Sequence, residues 1–63
     1  MRKVIDLYKK STKEQLVWTY VVHLGQDGSH PSITDFIEEA FRLAQVDLLG
    51  DEKTLVAKVR ESA

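Results

Sequence analysis

Apolar residues recur at helical spacing most clearly between Pro31 and Ala44. With a rotation of about 100° per residue, Ile33, Phe36, Ile37, Ala40, Phe41, Leu43 and Ala44 share one arc. Asp35, Glu38, Glu39, Arg42 and Gln45 share the opposite arc. Ser32 stands at the N-cap position, where its hydroxyl can accept a bond from an orphan amide. Asp35, three residues on, makes a short-armed capping box. Pro31 discourages helical angles at His30, and the acids near the start of the segment suit the helix dipole. The spacing predicts a helix over 32–46. Burying each Phe or Ile of its apolar face is worth about 1.5–3 kcal/mol, so another element must cover that face.

The flanking segments are shorter and read less cleanly. Over residues 2–10, Val4, Ile5, Leu7 and Tyr8 share one arc, with Arg2, Lys3, Asp6, Lys9 and Lys10 opposite, which predicts a short N-terminal helix. Ser11-Thr12-Lys13-Glu14 matches a capping box and predicts a helix over 12–24. Within it, Leu16, Trp18, Tyr20, Val22 and Leu24 alternate as a strand would, and the β-branched and aromatic content favours extended structure. Leu16, Val17, Tyr20, Val21 and Leu24 also fit helical spacing. The upstream capping box favours the helix, as does the lack of a clean partner strand, because a lone strand cannot satisfy its own backbone. Residues 25–31 carry turn chemistry, with Gly25 placed to end the preceding helix. Asp51 is placed to cap a last helix over 52–61, with Leu55, Val56 and Val59 facing inward.

The expectation is a single all-α domain spanning residues 1–63, a bundle of three main helices at 12–24, 32–46 and 52–61 with a short helix at 2–10. The alternative is an α+β fold with strands at 3–8 and 16–24. A chain of 63 residues buries only about 60% of its unfolded surface. It has no Cys, so packing, oligomerisation or a partner must supply what a disulfide or Cys-ligated zinc would otherwise add. The absence of Cys is compatible with a reducing cytosol, and a cytoplasmic protein is expected. The apolar run around Leu16 to Leu24 is too short to span a bilayer, and no signal peptide is discernible.

Candidate chemistry is sparse. His23 and His30 bracket Asp27 across a loop, a spacing that fits no standard metal-ligand pattern. Ser, His and Asp cluster between Asp27 and Asp35 without a nucleophile-elbow motif. Glu38-Glu39 fits a solvated helix face, since an acid/base pair would need burial to shift a pKa. A non-enzymatic protein with no cofactor, no metal and no small-molecule substrate is expected.

Two classes of partner remain. Trp18, Val22, Leu48 and Leu49 exceed what so small a helical core can hold, and surplus apolar surface marks a partner or self-association site. The second class is nucleic acid. Ser32 to Ala44 followed by Asp51 to Ser62 resemble the second and third helices of helix-turn-helix domains, the stretch Ser32 to Ala40 carrying the resemblance. That resemblance implies a DNA-binding regulator whose helix 52–61 enters the major groove, with Lys53, Thr54, Lys58 and Arg60 as contacts. A ribbon-helix-helix dimer is the other DNA-binding variant, with Lys3 to Lys9 as the paired strand and Lys9 and Lys10 available to phosphate. The link from Ala44 to Asp51 is longer than a helix-turn-helix turn, and the last segment is nearly neutral. Net charge is only −1, whereas phosphate-binding domains carry a clear basic excess. The charge balance therefore places a regulatory or adaptor module acting by protein interaction or self-association ahead of DNA binding.

Overall fold

The computed structural model of the chain describes residues 1–11 and 13–60. It contains strand β1 (Arg2–Lys9), strand β2 (Leu16–His23), helix α1 (Ile33–Val46) and strand β3 (Leu55–Arg60). The strands form one antiparallel sheet in the order β2-β1-β3. The fold is α+β, not the expected helical bundle. Three of the four predicted helices are corrected: segments 2–10, 12–24 and 52–61 supply the three strands. Residues 12 and 61 of those predictions lie outside the described residues. The α+β alternative located β1 and β2 and missed β3.

Helix α1 forms as its sequence predicts. The Ser32 hydroxyl accepts from the Asp35 amide at 3.2 Å, and the Asp35 carboxylate accepts from the Ser32 amide at 2.8 Å. Its far end is closed by a Schellman pair, with the Leu49 amide donating to Ala44 O at 2.8 Å and the Leu48 amide to Gln45 O at 3.1 Å. Leu48 occupies the left-handed position of that motif at φ 59°, where glycine is the usual residue.

The helix lies on one face of the sheet. Ile5 and Leu7 of β1, Val22 of β2, Leu55 of β3 and Phe36, Ala40 and Ala44 of α1 form the buried core. The register explains the sorting. Ile5 stands opposite Tyr20 and Val59, and Leu7 opposite Trp18 and Ala57, so these side chains share the helix-facing side. Val4, Asp6 and Tyr8 alternate to the other side with Val21, Thr19, Val56, Lys58 and Arg60. No other described helix or strand covers that outer side. Lys3 reaches over the Phe36 ring at 5.7 Å and covers one end of the core.

Local signals fail where long-range pairing competes. The Ser11 hydroxyl donates to Lys13 O, and the Glu14 carboxylate accepts from Lys58 at 2.9 Å instead of turning back to Ser11. The segment closes a hairpin, with the Lys9 amide donating to Gln15 O at 3.0 Å. At the other predicted cap, Asp51 does start one turn: its side chain accepts from the Lys53 amide at 2.8 Å, and its carbonyl accepts from the Leu55 amide at 2.9 Å. The chain then straightens, because Leu55 to Arg60 pair with Lys9 to Val4. Gly50 permits this turn, since a Cβ there would sit 2.5 Å from Thr54 Oγ1.

The Leu48 side chain is 92% exposed, so its left-handed backbone is not compensated by packing. Leu48→Gly is expected to stabilise the fold by about 1 kcal/mol. In a domain of this size that is a rise in thermal midpoint of roughly 4–8 °C. An unchanged or lower midpoint would show that Leu48 carries no net strain.

Candidate functional site: the β2 edge and the open sheet face

Strand β2 lies at the margin of the sheet, with β1 on one side and no described strand on the other. It is eight residues long and carries no Asp, Glu, Lys or Arg. Leu16 (55%), Trp18 (54%) and Val21 (51%) are more than half exposed on it. Trp18 stands opposite Leu7 and so lies on the helix side, whereas Val21 stands opposite Val4 on the outer side. Between Leu7 and Tyr8 the register shifts, leaving Val17 as the extra residue of a bulge. Beyond the bulge the ladder runs regularly to His23.

The opposite margin differs. Strand β3 has six residues, two of them Lys58 and Arg60. Charges on an edge strand discourage pairing with a second chain.

The outer face is held by a polar cluster at its centre. The Asp6 carboxylate accepts from the Thr19 hydroxyl at 2.6 Å and from Arg60 at 2.7 and 3.1 Å. The Thr19 hydroxyl is the largest influence holding the Asp6 carboxyl below its ordinary value; Arg60 adds to it and partial burial opposes it. Beside the cluster, Lys58 pairs with Glu14 at 2.9 Å and lies 5.0 Å from the Tyr8 ring centre. On the helix side, the Tyr20 hydroxyl bonds to Asp47 and ties β2 to the end of α1. Burial, then the bond to Asp47 and its charge, push the Tyr20 phenol up to about 12.

The predicted interaction residues separate in this frame. Trp18 and Leu48 are exposed, as surplus apolar surface would be, but they belong to different elements. Val22 is 3% exposed and belongs to the core. Leu49 packs partly buried against that core. Leu16 and Val21, which share the β2 edge with Trp18, were not anticipated as surface residues. Strand alternation against Val22 would have found Val21, whereas Leu16 reaches the outer side only through the bulge at Val17.

The predicted nucleic-acid contacts do not share a helix. Lys53 and Thr54 lie in the turn before β3, and the Thr54 hydroxyl is engaged with Asp51. Lys9 ends β1 beside that turn and Lys10 follows it, the Lys10 amide donating to Thr54 O at 3.1 Å and its ammonium to Glu52 O at 2.9 Å. Lys58 and Arg60 lie on the outer face, each already paired with a carboxylate. Neither helix-turn-helix nor ribbon-helix-helix geometry is present among the described residues, because each needs a second helix.

An open depression of about 530 Å³ is lined by Leu24, Asp27, His30, Pro31 and Asp35 among others. Its carboxylates are engaged locally, Asp27 by the Ser29 amide at 3.0 Å and Asp35 by the Ser32 amide. No group of three or more His, Cys, Asp and Glu side chains among the described residues is arranged to hold a metal. No described helix is long and apolar enough to cross a membrane. Compared with known protein families, with curated proteins and with solved structures, the chain matches none.

The depressed Asp6 pKa fixes the sign of an acid dependence. Its contribution to stability is complete above the unfolded carboxyl value of about 4. It is lost as pH falls through the lower folded value. Asp6→Asn is expected to lower stability at neutral pH and to flatten the acid limb of the stability curve. Denaturant titrations from pH 7 downward would show this, and an unchanged acid limb would deny Asp6 the role.

Proposed function

We propose that this chain is a non-enzymatic protein-interaction module that binds by strand addition at β2. The observation that carries this reading is the uncharged, eight-residue β2 edge with Leu16, Trp18 and Val21 more than half exposed. A free strand edge presents a row of unpaired amides and carbonyls. An extended segment laid along it gains main-chain hydrogen bonds, and its alternate side chains set specificity. The contrast with the charged β3 edge supports β2 as the side that pairs. The two carboxylates of the loop depression, Asp27 and Asp35, each accept a local backbone amide, which supports a reading without acid/base work by that pair.

One observation favours a second reading. The three strands carry five cations, Arg2, Lys3, Lys9, Lys58 and Arg60, against one anion, Asp6. Nucleic acid would then meet the sheet and not a recognition helix. The pairing of Lys58 with Glu14 and of Arg60 with Asp6 reduces the charge free for phosphate and keeps this reading second. Salt-sensitive retention on nucleic acid, weakened when Lys9, Lys10 and Lys53 are made neutral, would promote it. No retention even at low salt would remove it.

The strand-addition reading is tested by hydrogen exchange at the β2 amides with a synthetic peptide of residues 16–23 as the probe strand. Saturable slowing is expected on the outward amides of β2. Val21→Lys is expected to weaken it by about tenfold, roughly 1.4 kcal/mol. Absence of slowing at any peptide concentration would refute the reading.

A further inference from the structure

We infer that the strand that pairs with β2 is the β2 of a second copy of this chain, related by a two-fold axis that extends the sheet from three strands to six. This inference rests on the strand-addition reading above. It adds the occupant.

The argument is one of charge and symmetry. From Gln15 to Gln26 the chain has no Asp, Glu, Lys or Arg over twelve residues, its longest such stretch. An isologous contact sets a surface against itself, so a charge at the axis, or charges of a single sign along the seam, would meet their own sign. The nearest charge before β2, Glu14, is turned across the sheet to Lys58. The nearest after it, Asp27, is engaged within its own loop by the Ser29 amide. Both flanking carboxylates are thus occupied away from the seam. A foreign partner selected by charge would find nothing on this strand to select it. With a net charge of −1, two copies also approach with little mutual repulsion.

The side chains agree with that geometry. A two-fold axis normal to the sheet keeps both copies of α1 on the same side. Trp18, on the helix side of the margin and opposite Leu7, then lies between the two helices, where the partner's strand covers it. Val21 and Leu16 are covered along the seam. The need for such a contact is physical. Among the described residues seven hydrophobic side chains are buried, two of them only Ala40 and Ala44, and no Cys is available for a covalent staple. A chain this small commonly gains stability by oligomerisation.

The test is sedimentation of the full chain from low-micromolar to near-millimolar concentration, together with Val21→Lys and Leu16→Lys. Both substituted positions are more than half exposed, and circular dichroism and the thermal midpoint report whether each variant folds. A concentration-dependent dimer, weakened at least about tenfold in both folded variants, is the expected result. A chain that stays monomeric at the highest concentration overturns the inference. So does a dimer that neither substitution weakens. A monomer whose β2 amides are still slowed by the peptide of residues 16–23 would leave strand addition standing and remove only the second copy as occupant. A monomer with no such slowing would remove both.

Discussion

A strand in the interior of a sheet must have the amides and carbonyls of both its edges satisfied, and β1 has them satisfied by segments that join it very differently. β2 follows it through a short hairpin, whereas β3 arrives only after the whole of α1 and its loops. Ile5 and Leu7, the two large β1 side chains of the core, are fully buried because both pairings are made. Asp6, the buried polar side chain among the described residues, is likewise satisfied from both sides, by Thr19 of β2 and Arg60 of β3. Loss of either neighbour would leave a buried carboxylate short of partners, which costs more than the bond itself contributes.

That arrangement leaves two surfaces with different character. The helix supplies one layer, and the molecule is only 15 Å across its thinnest extent, so one face of the sheet is left open by the described elements. The open face is regulated by charge pairs, Asp6 with Arg60 and Glu14 with Lys58. The β2 margin has no such control. Natural edge strands are usually blunted by charge, proline or a bulge. Here one bulge at Val17 interrupts the start of β2, and the rest of the strand is regular and carries no Asp, Glu, Lys or Arg. The surface suited to a partner and the surface bearing the cations are therefore distinct.

How much of this was legible depends on how local each cause is. The helix was legible because its apolar arc, N-cap and capping box all lie within one segment, and the structure places Ser32 and Asp35 as that pattern requires. Trp18 and Leu48 were legible as exposed apolar side chains, though not as members of separate elements. The strands were misread because four to six apolar residues in a short segment fit a helical arc about as well as an alternation. Val4, Ile5, Leu7 and Tyr8 look like one helical face, yet Ile5 and Leu7 point to the helix while Val4 and Tyr8 point away. Of the two further capping signals, Asp51 starts one turn, whereas the Ser11 hydroxyl donates to Lys13 O instead of accepting an amide. Neither propagated, since extended partners outcompeted a further helical turn.

By itself, the sequence determined the position and limits of α1, the turn at Gly25 to Pro31, and a 12-residue interval free of charge. Each follows from interactions between residues close in the chain. Tertiary structure decided that residues 2–9, 16–23 and 55–60 are strands, that Val22 is core while Val21 is surface, and that Lys58 and Arg60 are paired. The physical reason is that a strand's backbone bonds, and the face each of its side chains occupies, exist only once its neighbours are chosen. For β1 one of those neighbours is roughly fifty residues away.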